Sequence, residues 1–134
     1  MTKRSDLLVA CMMGTRWQKT QTTVGALVAI TSPTPNDSQS KIHLETIWYS
    51  FRNFAGAGGA NSTVGLEVRQ ASVAGTLVAH VDHLLAASTA QNVQALGLNY
   101  VGKPGKPLFI GTDTAVGSVT ASVNASGWIE DTNG

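Results

Sequence analysis

The run Val119 to Ile129, VTASVNASGWI, alternates two kinds of side chain. Val119, Ala121, Val123, Ala125 and Ile129 share one parity, and Thr120, Ser122, Asn124, Ser126 and Trp128 share the other. A period of two is the signature of a strand, whose successive side chains point to opposite faces. One parity is apolar and the other carries hydroxyls and an amide. Such a strand lies on a core and needs neighbours at its edges, so the rest of the chain has to supply sheets.

The other segments repeat the pattern in shorter pieces. STVGLEVRQ sets Val64, Leu66 and Val68 against Thr63, Gly65, Glu67 and Arg69. TLVAHVD places Leu77, Ala79 and Val81 on an inner face. ALVAIT, QNVQALGLNY and LFIGT read as further strands, and HLLAASTA as a stretch holding a helical turn. KIHLETIWYSFRNF is different, because Ile42, Leu44 and Trp48 fall on one parity and Ile47, Tyr49 and Phe51 on the other. Neither face is cleanly polar, which predicts a bulge or burial on both sides. AGAGGAN, ASVAG and VGKPGKP supply turns, and Pro33 and Pro35 in SPTPND oppose both helix and central strand. About seven or eight strands with turn signals roughly every 8–12 residues make an all-β chain. The expected fold is an antiparallel β-sandwich, jelly-roll-like, with an N-terminal arm over residues 1–23 and a single domain over 24–134.

Composition narrows the function. Of 134 residues, 13% are charged, about half the usual share of roughly 25%. So little charge implies a surface covered by partners. A net charge of +1 gives no long-range pull toward nucleic acid or an anionic membrane. The single cysteine, Cys11, rules out an intrachain disulfide and a multi-cysteine zinc site. LVAC, with Lys3 and Arg4 upstream, has too short an apolar run for a secretion signal. Leu7 to Met13 is expected to be a short buried strand with Cys11 as filler.

Candidate chemistry is sparse. HVDH brings together His80, Asp82 and His83, types that bind divalent metals. On a strand, however, His80 and Asp82 share a face while His83 points away, and a further ligand such as His43 would have to come from elsewhere. The expectation is a polar strand end entering a turn. Glu45, Glu67, Asp82, Asp113, Glu130 and Asp131 are the carboxylates available to glycoside hydrolysis, and they read as solvated strand faces. No Gly-x-Ser-x-Gly elbow is present, and GAGGA lacks the Gly-Lys-Ser/Thr ending of a phosphate loop. Trp17, Trp48 and Trp128 suit either packing or a sugar-stacking platform. The reading carries no catalytic residue, no metal and no cofactor.

From about Lys41 to Asp131 the segments resemble a β-sandwich found among virion proteins of tailed bacteriophages. The likeness lies in KIHLETIWYSF before a Gly-rich turn, in NSTVGLEVRQASVAGTLVAHV, in AASTAQNVQALGL, and in GKPGKPLFIGTDTAVGSVTASVNASGWIED with its VNASGW run. It covers about two-thirds of the chain and brings no catalytic residues. It implies a non-enzymatic capsid decoration or cement protein on the capsid exterior, present in the host cytoplasm during assembly. Its partners would be the major capsid protein and further copies of itself, as a homotrimer or another ring. The arm holds Lys3, Arg4, Arg16, Trp17 and Lys19, four of the nine basic residues beside an aromatic, and these are the expected capsid contacts. Two alternatives remain: a tail or fibre connector, and a carbohydrate-binding module using Trp48 or Trp128 with Glu45 or Glu67.

Overall fold

The computed structural model describes residues 14–31, 40–56, 58–90, 93–113 and 118–130. Eight strands follow in order: β1 (Thr15–Gln21), β2 (Leu27–Ile30), β3 (Ile42–Asn53), β4 (Ser62–Gln70), β5 (Thr76–Leu85), β6 (Gln94–Val101), β7 (Leu108–Thr112) and β8 (Val119–Ile129). They form two four-stranded sheets, β1-β8-β3-β6 and β2-β7-β4-β5, and every pairing is antiparallel. The pairs β4·β5, β3·β6, β2·β7 and β1·β8 nest one outside the next. This is the winding of a jelly roll, and the two sheets pack face to face as a β-sandwich.

Alternation puts the core where the strand patterns place it. Ala121, Val123, Ala125 and Ile129 of β8 are buried, as are Val64, Leu66 and Val68 of β4. They meet Ile47, Tyr49 and Phe51 of β3, Leu108 and Ile110 of β7, and Ile30 of β2. The conflict of parities in β3 is resolved by a register shift between Leu44 and Thr46, with Glu45 as the extra residue. Ile42 and Leu44 point inward before it, and Ile47, Tyr49 and Phe51 point inward after it.

A second shift, between Val68 and Arg69, corrects one assignment in β5. Arg69 pairs with Leu77 and Val68 with Ala79, so Val78 is the extra residue and Leu77 turns outward, 43% exposed. The strand then runs on to Leu85, through residues expected to hold a helical turn; the turn comes after it, at 87–88.

Within the expected arm, Thr15–Gln21 is a strand of the first sheet, paired along its whole length with β8. TRWQKTQ shows no clean alternation because it is an edge strand with little to bury. The arm residues Lys3 and Arg4, the Leu7 to Met13 segment, the Pro33 and Pro35 breaker and Asp131 lie outside the described residues.

Buried polar side chains tie the layers together. Gln70 donates from Nε2 to the Pro107 carbonyl, and its Oε1 accepts from Tyr100 Oη and the Lys103 amide. Asn53, fully buried, donates to the carbonyls of Ala60 and Leu85 and accepts from the Ala55 amide.

Candidate functional site

The register of the first sheet lays out its solvent face row by row. Thr20, Asn124 and Trp48 are neighbours across β1, β8 and β3, and so are Gln18, Ser126 and Thr46. Ser122 stands beside Ser50, and Thr120 beside Arg52. The centre of this face is therefore uncharged, a field of hydroxyls and amides around Trp48, which is 39% exposed. Thr20 Oγ1 donates to Asn124 Oδ1 at 2.8 Å, and Asn124 Nδ2 donates to Ser122 Oγ at 3.3 Å. At one end a groove of about 300 Å³ is lined by Ser50, Arg52, Phe54 and Thr120, with the Arg52 guanidinium 4.3 Å above the Phe54 ring.

The sequence-predicted contact residues Arg16, Trp17 and Lys19 lie on β1 but not on one face. Arg16 pairs with Trp128 on the solvent face and reaches Glu45 Oε1 at 2.7 Å. Trp17 and Lys19 pair with Gly127 and Ala125 on the core parity. Trp17 packs against the core, over the bare backbone of Gly127, while Lys19 stays in solvent at the sheet edge. Trp17 Nε1 is buried with no hydrogen-bond partner among the described residues. Trp128 has one face covered: the His43 ring stacks on it at 3.8 Å and 14°, held by Glu130 at 2.9 Å. Of the three tryptophans, Trp48 is the exposed one.

The second sheet carries a different cluster. His80 and Asp82 share the solvent face of β5, as strand geometry requires, and His83 points inward to Tyr49 Oη at 2.8 Å. His43 lies on the other sheet and takes no part. Across from His80 and Asp82, β4 presents Glu67 and Gly65. Beyond Gly65 lies Asp113, just after β7; its amide donates to the Gly65 carbonyl, and its Oδ1 accepts the Gly65 amide at 2.7 Å. His80 Nε2 then sits 3.0 Å from Asp82 Oδ1 and 3.1 Å from Asp113 Oδ2. Glu67, expected on a solvated face, is 8% exposed and paired with Arg69. Asp113 went unplaced by the sequence because it is 33 residues from His80. The available signal was Gly65, a glycine at the outer position of an otherwise regular strand, which marks a close approach.

No family model, no curated protein and no solved structure matches the chain.

Proposed function

We propose that the chain is a non-enzymatic structural protein of a bacteriophage virion, a jelly-roll module that decorates the capsid exterior. It would bind across neighbouring major capsid subunits as a homotrimer or another cyclic homo-oligomer. Binding the assembled shell but not free subunits stabilises the shell by mass action.

The observation that carries this reading is the uncharged centre of the first sheet's solvent face. Interface centres are depleted of charge and built around aromatic anchors, and here Trp48 stands among Thr46, Ser50, Asn124 and Thr20. Strand β1 adds an edge that, among the described residues, pairs only with β8. It carries Arg16 and Lys19, and Lys3 and Arg4 lie earlier in the sequence. Jelly rolls are a recurrent architecture of viral shells, which is support by fold analogy alone.

The test is co-sedimentation with expanded phage capsids lacking the protein, with solution mass measured by light scattering. Trp48→Arg puts charge on the face, and the triple change Lys3→Glu, Arg4→Glu, Lys19→Glu reverses three of the four basic residues without removing β1. Wild type should co-sediment and the Trp48→Arg variant should not. Equal co-sedimentation of all three proteins, or none by wild type, overturns the proposal.

A second reading has one specific observation in its favour. An exposed indole ringed by hydroxyls and amides also suits a sugar ring. Glycan-array binding by wild type that is lost in Trp48→Ala would favour it.

A further inference from the structure

We propose that the groove at one end of the first sheet's solvent face binds a carboxylate-bearing sugar, such as a uronic acid, with Arg52 taking the carboxylate. This site rests neither on capsid binding nor on Trp48.

Register builds the groove. Ser50 and Arg52 of β3 share the solvent parity, and Phe54 follows on it just past the end of the strand. β8 sets Ser122 beside Ser50 and Thr120 beside Arg52, and Ala90 bridges to Arg52 from the other side. The long side chains at 52 and 54 therefore stand among short ones. The space left between them is about 300 Å³, at the lower end of the roughly 300–1,000 Å³ of small-molecule sites.

Its charge is a single guanidinium. Of the three arginines among the described residues, Arg16 pairs with Glu45 and Arg69 with Glu67. Arg52 has no carboxylate partner among the described residues and lies instead over the Phe54 ring, 4.3 Å from its centroid. Stacking occupies the flat face of a guanidinium. The N–H donors lie in its plane and stay free for an oxyanion.

The lining then discriminates between ligands. A carboxylate meets a guanidinium as two parallel forks, and one negative charge balances one positive. A phosphate monoester carries close to two negative charges at neutral pH, and no second cation lines the groove. The hydroxyls of Ser50, Thr120 and Ser122 both donate and accept, as sugar hydroxyls require. Ser122 Oγ already accepts from Asn124 Nδ2 at 3.3 Å, so its own proton is left to donate. Phe54, 51% exposed, offers apolar surface to the C–H groups of a sugar ring. An aliphatic acid would leave the hydroxyls without partners, and a neutral sugar would leave the guanidinium without one.

The probe is a four-residue oligogalacturonate added to the free, ¹⁵N-labelled full chain. It should shift the backbone amides of Ser50, Arg52, Thr120 and Ser122 in a saturable way, and added salt should weaken the response. A neutral glucan of equal length should bind at least about tenfold more weakly. Arg52→Gln, at an exposed position, should fold and lose at least about tenfold in affinity for the acid, through the missing charge-assisted bonds. Arg52→Lys should lose most of it too, because an ammonium lacks the fork. No saturable shift with wild type, or equal binding by Arg52→Gln, overturns the proposal. Equal binding of inorganic phosphate, or of an acidic peptide of the same charge, assigns the groove to another ligand and also overturns it. None of these readouts needs capsids, so a failure here is distinguishable from a failure of co-sedimentation.

Discussion

Tyr49 and His83 join the two sheets through the core, Oη to Nε2 at 2.8 Å, with their rings 5.4 Å apart. Replacing Tyr49 by Phe keeps the ring and removes that bond, which should cost about 1 kcal/mol in urea unfolding. The buried hydroxyl also gives stability a pH dependence. Burial pushes the Tyr49 hydroxyl above its ordinary value of 10.0. The unfolded chain therefore ionises first as pH rises. The contribution is complete below the unfolded value and is lost as pH climbs through the folded one. Wild type should lose stability as pH rises above about 10, and Tyr49→Phe should lose less over the same interval.

Asn53 offers a sharper contrast. Its amide donates to two carbonyls and its oxygen accepts from a backbone amide, all with the side chain buried. Asn53→Ala leaves those groups short of a partner and should cost about 3 kcal/mol. Asn53→Asp should be worse despite its closer shape, because a buried carboxylate would face two carbonyl oxygens. Thermal unfolding of the three proteins at neutral pH gives the order.

Gly127 lets β8 run against β3 with Trp17 lying over it. A Cβ at this position collides with the His43 carbonyl oxygen and comes within 2.8 Å of Trp17 Cζ2. Backbone cannot move aside as a flexible side chain can. Gly127→Ala should therefore destabilise by about 3 kcal/mol, at the upper end for overpacking. Calorimetry should show the loss, with near-ultraviolet dichroism reporting a disturbed Trp17.

Arg16 should behave in the opposite way. Its pair with Glu45 is short, but the two side chains are 70% and 37% exposed. Arg16→Ala should change stability by less than about 0.5 kcal/mol, and added salt should shrink the difference further. That makes the position usable for binding tests without loss of fold.

Most of the fold could be read from side-chain alternation. In β8 and β4 the predicted inner residues face the core, while Gly65 and Glu67, on the predicted outer parity of β4, are buried as well. In β3 the clash between Ile42 with Leu44 and Ile47 with Tyr49 announced a bulge, and Glu45 supplies it. Leu77 was misplaced because the shift beside Val68 leaves no trace in TLVAHVD; both parities there hold apolar residues. TRWQKTQ was invisible as a strand because its neighbour β8 supplies the hydrogen bonds and its own side chains bury little. The cluster over Gly65 was half legible. His80 and Asp82 share a face by strand geometry alone, but Asp113 arrives by long-range pairing that no local pattern encodes.

The nesting of the strands has a consequence for how the protein is made. β1 pairs only with β8 among the described residues, so Thr20 waits for Asn124, 104 residues later, to be synthesised. β3 is in the same position on one edge, since it lies between β6 and β8. On the ribosome the β4·β5 hairpin has its partner strands at hand early, while the first sheet stays open until the last strand emerges. At about 5–20 residues per second that delay lasts several seconds. During it, the long apolar parity of β3 is exposed to every other unfinished chain nearby.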